Sequence, residues 1–98
     1  MNDPVTQLEQ NAGALRGLGA RRIGVFGSCA RGEESSGSDV DVFVEFDPAQ
    51  RTFRNFNALY ELLERIFGRT VDLVTDASLT DRSARIILPT VRYAALGS

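Results

Sequence analysis

The stretch Ser-Asp-Val-Asp-Val-Phe-Val-Glu-Phe, residues 38 to 46, decides how this chain folds. From Asp39 onward its side chains alternate in character. One set is wholly apolar, Val40, Val42, Val44 and Phe46, and the other set is Asp39, Asp41, Phe43 and Glu45. Because successive side chains of a strand point to opposite faces, this pattern predicts a strand from Asp39 to Phe46 with one buried face. The sheet that contains the strand therefore carries a polar site on its other face.

Asp39 and Asp41 are the candidate residues of that polar site. Positions i and i+2 of a strand lie about 6–7 Å apart at Cα and share a face, so two ionised carboxylates repel each other there. A cation between them removes the repulsion, and Mg²⁺ commonly binds through one or two carboxylates together with substrate phosphates. The alternative is that both side chains only form the solvated face of an edge strand. Asp is a poor strand former, which favours the site.

The remaining elements follow from hydrophobic periodicity and end signals. They are a helix from Asp3 to about Gly17, a strand from Arg22 to Phe26, a helix from Thr52 to Phe67 and a strand from Thr70 to Thr75. A last helix begins at Ser78 and Asp81, and it is interrupted or ended near Pro89. The segment from Gly27 to Ser38 has room for a short helix and a turn. The order α-β-α-β-α-β-α predicts the α/β (α+β) class, a small sheet covered by helices.

A second candidate site follows the first strand, in the run Gly-Ser-Cys-Ala-Arg-Gly from 27 to 32. Gly27 permits close backbone approach to a phosphate, Ser28 supplies a hydroxyl, and Arg31 can contact phosphate oxygens in a bidentate manner. The alternative is a tight turn with a solvated arginine. The two glycines have P-loop spacing, but Glu33 and Glu34 stand where that motif needs Lys and Ser or Thr, which excludes an ordinary P-loop.

Asp72 is the third acidic candidate, because it interrupts the apolar strand between Val71 and Leu73. If this strand neighbours the one from Asp39 to Phe46, Asp72 joins the other two carboxylates. The alternative is a salt bridge, for example to Arg22 or Arg69.

Composition excludes several classes of function. The chain has 98 residues, which predicts one domain over residues 1–98. It contains no His, no Lys and one Cys, so imidazole catalysis, lysine Schiff bases and cysteine-rich zinc sites are excluded. The net charge of −2 argues against general nucleic-acid binding and binding to anionic membranes. With no signal peptide and no long apolar run, we expect a cytoplasmic protein with no membrane contact.

These motifs together resemble a known family. Gly27-Ser28, then Ser38-Asp39-Val40-Asp41, then Asp72 in a later apolar strand, is similar to the nucleotidyltransferase superfamily related to DNA polymerase β. The small size resembles its minimal branch, the MntA-type antitoxins. The motifs cover about residues 20–76, and the segment after Asp76 carries no diagnostic residue. The resemblance implies the nucleotidyltransferase fold, with a small mixed sheet flanked by helices.

The resemblance also implies an activity and a set of residue roles. Asp39, Asp41 and Asp72 would be catalytic and hold Mg²⁺, two ions in this family, with Asp72 helping to deprotonate the attacking hydroxyl. Gly27 and Ser28 would bind the terminal phosphates of a nucleoside triphosphate such as ATP, and Ser38, in the same nucleotide-binding set, would support that loop. We add Arg31 to this nucleotide-binding set as an electrostatic clamp.

The partner in such a family resembles a HEPN-domain ribonuclease toxin, which receives AMP on a tyrosine. We therefore expect a protein adenylyltransferase that silences its toxin. A chain this short has no acceptor-binding domain, which favours a protein acceptor over a small molecule or an RNA end. Neutralisation by binding alone is the other alternative, although a pure binder has no need of three acids.

Overall fold

The computed structural model describes residues 3–27 and 39–97. The helices are α1 (Pro4–Gln10), α2 (Ala12–Gly17), α3 (Phe53–Phe67) and α4 (Asp81–Ile87). The strands are β1 (Ala20–Phe26), β2 (Val40–Phe46), β3 (Val71–Thr75) and β4 (Arg92–Tyr93). Three short 3-10 helices, Pro48–Gln50, Asp76–Ser78 and Leu88–Thr90, lie between these elements.

The four strands form one mixed sheet in the order β3-β2-β1-β4. β1 pairs antiparallel with both β2 and β4, whereas β2 and β3 are parallel. Parallel neighbours need a crossover connection, and α3 supplies it between β2 and β3. The predicted α/β class, with a small mixed sheet flanked by helices, is confirmed.

The alternating residues of β2 divide the sheet into two faces. Val40, Val42, Val44 and Phe46 are all buried, on the face that α1, α2 and α3 cover. We call this the core face and the opposite one, which carries Asp41, the acid face. Leu59 and Leu63 of α3 are fully buried on the core face, which contributes about 1.5–3 kcal/mol for each side chain.

Two features of α3 explain why it begins and ends where it does. The Thr52 hydroxyl accepts a hydrogen bond from the Asn55 amide at 3.1 Å, which caps the first turn. Gly68 ends the helix in the left-handed conformation, at φ +64°. The predicted helix from Thr52 to Phe67 thus includes one residue, Thr52, that is its cap.

The first predicted helix is wrong in one respect, because it is two helices with a break at Asn11. The Asn11 side chain donates to the carbonyl oxygen of Gln7 at 2.9 Å and its backbone leaves the helical region, at φ −114° and ψ 19°. Asparagine competes in this way with the helical ladder. Pro4 occupies the first turn as expected, but the side chain of Asp3 makes no capping bond.

The start of the last helix is also different from the prediction. Ser78 closes the preceding 3-10 turn, where its hydroxyl donates to the Thr75 carbonyl at 2.8 Å. The cap of α4 is Thr80, which exchanges hydrogen bonds with Ser83: the Ser83 amide donates to the Thr80 hydroxyl, and the Thr80 amide donates to the Ser83 hydroxyl. The helix ends at Ile87, before Pro89, as Pro89 predicted.

β4 is a strand that the sequence did not reveal, and Gly24 makes its pairing possible. A Cβ on Gly24 would collide with the carbonyl oxygen of Arg92 and lie 2.7 Å from Cγ1 of Val91. Tyr93 is held there by its edge contact with Phe43, with ring centroids 6.4 Å apart, and by the Arg22 guanidinium 4.1 Å from its ring centroid. The segment from Val91 to Tyr93 therefore packs onto β1 because Gly24 has no side chain.

We expect Gly24→Ala to lower the free energy of unfolding by about 1–3 kcal/mol, because the added methyl group displaces backbone as well as side-chain atoms. Gly13→Ala is the matched control, since a Cβ at this position in α2 meets nothing within 4 Å. This control should stabilise the protein by about 0.5–1 kcal/mol. Urea denaturation of both variants measures the difference, and equal stabilities would contradict the close packing at Gly24.

Candidate active site

Asp41 and Asp72 lie side by side on the acid face. They are register partners in the parallel pair of β2 and β3. Adjacent strands are about 4.8 Å apart and register partners point to the same face, so the two side chains are neighbours. Asp41 is half-buried and Asp72 is exposed. The sequence predicted that Asp72 joins the other two carboxylates if its strand neighbours theirs. β3 does neighbour β2, and Asp72 lies beside Asp41.

Asp39 lies immediately before β2, and its carboxylate is close enough to act on Asp41. The pKa of Asp41 is raised above its usual value, first by burial, then by the charge of Asp72 and then by that of Asp39. Each of these causes disfavours the ionised form. The three acids therefore form one electrostatic group, which we call the acid cluster: Asp39, Asp41 and Asp72.

Gly27 brings the end of β1 against this cluster. Its φ of +67° is in the left-handed region, which favours glycine. A Cβ at this position would collide with Oδ2 of Asp41. The backbone at Gly27 therefore packs so close to the Asp41 carboxylate that an added Cβ would displace that carboxylate.

The other members of the predicted nucleotide-binding set, Ser28, Arg31 and Ser38, lie outside the described residues. Of the two arginines that offered an ion pair to Asp72, Arg22 lies instead near Glu45, with Nη1 3.9 Å from Oε2. Its guanidinium also stacks on Tyr93. Arg22 thus belongs to the opposite end of the acid face.

Tyr60 of α3 lies near the acid cluster, a proximity that the sequence did not predict. The pKa of its phenol is raised by partial burial first, then by the charge of Glu64 and a hydrogen bond with Glu64, and also by the charges of Asp39 and Asp72. Tyr60 thus borders the negative field of the acid cluster. The hydrophobic periodicity of this helix predicts which of its faces is buried, and it does not predict which charged groups border that face.

The acid cluster is chemically suited to a hard divalent cation. Carboxylate oxygens are the protein ligands that Mg²⁺ prefers, and the mutual repulsion of three acids is relieved by positive charge. Within residues 3–27 and 39–97, no three acidic, cysteine or histidine side chains converge into a complete metal site. Mg²⁺ usually binds with substrate phosphates and water as further ligands, so an incomplete protein site fits this ion.

No helix of the described segments is long and apolar enough to cross a membrane.

Comparison with known proteins gives consistent matches. The family model of the nucleotidyltransferase domain matches residues 8–93. The chain is similar to protein adenylyltransferase MntA of Thermococcus cleftensis, with 44% identity over 78% of this chain and 76% of that protein. A Methanocaldococcus jannaschii relative, also described as a protein adenylyltransferase, is 45% identical over 60% of each chain.

A solved structure described as a minimal nucleotidyltransferase has the same fold. It superposes with a TM-score of 0.74 and 33% identity, over 90% of this chain and 93% of that one. The aligned part thus includes nearly all of both proteins. From the match to its model over most of the chain and from these relatives, the chain belongs to the nucleotidyltransferase domain family, in the branch of minimal nucleotidyltransferases, and is a nucleotidyltransferase enzyme.

Proposed function

We propose that this chain uses Mg²⁺ to transfer AMP from ATP to a tyrosine hydroxyl of a HEPN-type toxin, and so acts as its antitoxin. The observation that carries the proposal is the in-register pair Asp41 and Asp72, with Asp39 beside it. The similarity to a relative named protein adenylyltransferase supports the choice of AMP and of a protein acceptor.

Each residue of the acid cluster has a role in this proposal. Asp39 and Asp41 would hold the cation, and Asp72 would complete its site and accept the proton of the attacking hydroxyl. A bound Mg²⁺ would supply positive charge to the phosphate oxygens as negative charge develops on the leaving pyrophosphate. The glycine at position 27 would let the chain approach the phosphates, with Ser28 and Arg31 as further phosphate contacts and Ser38 as a support of that loop.

The bonds of the reaction balance without a further reactant. The tyrosine oxygen forms a bond to the α-phosphorus, and the bond from that phosphorus to the oxygen bridging to the β-phosphate breaks. Pyrophosphate leaves with that bridging oxygen, and the phenolic proton passes to the Asp72 carboxylate and then to solvent. The product is a tyrosine joined to AMP through a phosphodiester.

The acceptor is a protein in this proposal because the acids are accessible from solvent in the part of the chain that the structure describes. Asp39 and Asp72 are exposed, and Asp41 is half-buried. A substrate hydroxyl at such a site has to be positioned by the molecule that carries it. A folded partner does this more readily than a small molecule.

The direct test is labelling in host lysate with Mg²⁺ and ATP that carries the label on its α-phosphate. We expect one labelled protein band, and we expect Asp41→Asn to reduce it at least about a hundredfold, because the variant removes a cation ligand. Glu45→Gln is the matched control, since it removes a carboxylate from the same strand and face but outside the cluster. It should label normally.

Two other results would reject parts of the proposal. Label on RNA or on a small molecule, with none on protein, would change the acceptor class. A toxin that is still neutralised by the Asp39→Ala/Asp41→Ala double variant would show that binding alone is enough.

The raised pKa of Asp41 gives a second prediction, on stability. A raised pKa in the folded protein means that the charged carboxylate destabilises the fold, and that stability rises as pH falls through this pKa. Without divalent cations at pH 7, Asp41→Asn should therefore melt a few degrees above the wild type, and the difference should shrink in acid. Thermal melts should also show that Mg²⁺ stabilises the wild type but not Asp41→Asn. Identical melting with and without Mg²⁺ would contradict a cation at the cluster.

A third prediction separates the two costs of replacing Gly27. Gly27→Ala forces a side chain into the left-handed region, at about 1–2 kcal/mol, and also pushes the Asp41 carboxylate aside. Gly68→Ala has the same backbone cost, at φ +64°, but its Cβ would meet nothing within 4 Å. We expect Gly27→Ala to lose at least as much stability as Gly68→Ala, and we expect a loss of AMP transfer in Gly27→Ala alone. Equal transfer activities would show that the approach of Gly27 to Asp41 is not needed.

A further inference from the structure

α4, which has seven residues, differs from α3 in how it is stabilised. None of its residues is buried, whereas α3 buries two leucines. Its first turn is instead closed by the reciprocal hydrogen bonds of Thr80 and Ser83. Helices of this length usually depend on a packed apolar face, so α4 retains surface that the fold has not used.

The outward side of α4 is apolar and basic together. Arg82, Arg85 and Ile86 stand at the i, i+3, i+4 spacing of one helical face, and all three are exposed. Ile86 is 62% exposed, and Leu88, just after the helix, is 38% exposed. These are two of the three large apolar side chains that the described chain exposes; the third, Phe53, begins α3. We call Arg82, Arg85, Ile86 and Leu88 the α4 face.

The charge of the α4 face is not neutralised within the fold. Neither Arg82 nor Arg85 forms an ion pair with any residue that the structure describes. Asp81 is the one acidic residue of the helix. The chain as a whole has a net charge of −2, so the positive charge of this surface is opposite in sign to the net charge of the chain. A basic surface beside exposed apolar side chains matches a partner surface of acidic and apolar residues.

The topology puts the α4 face on the same side of the sheet as the acid cluster. The segment from Asp76 to Val91 joins β3 to β4, which are the two opposite edges of the sheet. The core face is occupied by α1, α2 and α3. Val91 lies over Gly24, which is on the acid face because Ile23 and Val25 on either side of it are buried in the core. The segment that contains α4 therefore crosses the acid face.

We propose that the α4 face docks an acidic and apolar surface of the protein that receives the nucleotide. This inference rests on the proposed function, because it names the surface that holds the acceptor of that transfer. A protein that delivers a hydroxyl to Asp41 and Asp72 approaches the sheet from the acid face and so meets α4. Docking there supplies the positioning that the open acid cluster lacks.

The test measures AMP transfer at increasing concentrations of host lysate, with labelled ATP and Mg²⁺. The variants are Arg82→Glu/Arg85→Glu and Ile86→Ser, all at exposed positions. The matched control is Arg16→Glu/Arg65→Glu, which reverses two exposed arginines of α2 and α3 behind the core face. Binding of a fluorescent ATP analogue in the presence of Mg²⁺ is measured in parallel for each protein.

We expect the Arg82→Glu/Arg85→Glu variant to need at least about tenfold more lysate for half-maximal labelling, since charge reversal opposes an acidic partner. Ile86→Ser should shift the curve in the same direction. Binding of the ATP analogue should stay unchanged in every variant, and the control should label like the wild type.

Three results would overturn the proposal, and they can be told apart. Unchanged labelling by both α4 variants rejects the docking surface and leaves the proposed transfer intact. An equal loss in the control shows a general charge effect and also rejects the surface. No protein labelled by the wild type, although it binds the ATP analogue, rejects transfer to protein and with it the docking of an acceptor.

Discussion

The parallel, in-register pairing of β2 with β3 is the constraint on which the rest of the structure depends. It puts Asp41 beside Asp72 at a separation that the hydrogen-bonded strands fix. Two residues on loops would not be held at a fixed separation in this way. A parallel pair cannot be closed by a hairpin, so the chain needs α3 as a crossover. The crossover covers one face of the sheet and leaves the other to the acids. The pairing thus decides both where the core is and where the chemistry is.

The same pairing lowers the stability of the folded chain. Three acids within each other's field destabilise the folded chain, as the raised pKa of Asp41 indicates. Selection for stability alone would replace one of them with a neutral residue of similar size. A local conflict of this kind, in an otherwise consistent sequence, is typical of a functional site. Gly27 adds to the conflict, since its backbone packs directly against the most strongly affected carboxylate.

Most of the sheet and the acidic triad could be predicted from the sequence, because both depend on local alternation. β2 shows its two faces in the order of its residues, and Asp72 stands out within an apolar run. The position of Asp72 beside Asp41 depended on strand order, which alternation does not encode. Asn11 broke the first helix through a side-chain hydrogen bond that a count of apolar positions ignores. The sequence pattern began the last helix at Ser78, whereas the reciprocal hydrogen bonds of Thr80 and Ser83 make Thr80 its cap.

β4 was missed for a different reason. It has two residues, and its pairing depends on a glycine in a strand far away in the sequence. The proximity of Tyr60 to the acids was not predicted for a similar reason, because it arises from the way α3 lies on the sheet. Features that arise from tertiary contacts are difficult to predict from the local sequence of the residues that form them. The nucleotide-binding residues Ser28, Arg31 and Ser38 stay predictions.

The pairing of β4 with β1 has a consequence for the chain as it is synthesised. β1 is among the earliest elements to leave the ribosome, and the strand that covers its outer edge comes after every other element. Until Tyr93 has emerged, the backbone amides and carbonyls along that edge are open to any other strand nearby. Neighbouring nascent chains on one messenger RNA would present the same open edge to each other. The short β4 strand, which is synthesised last, therefore covers the edge of β1 and prevents its pairing with another chain.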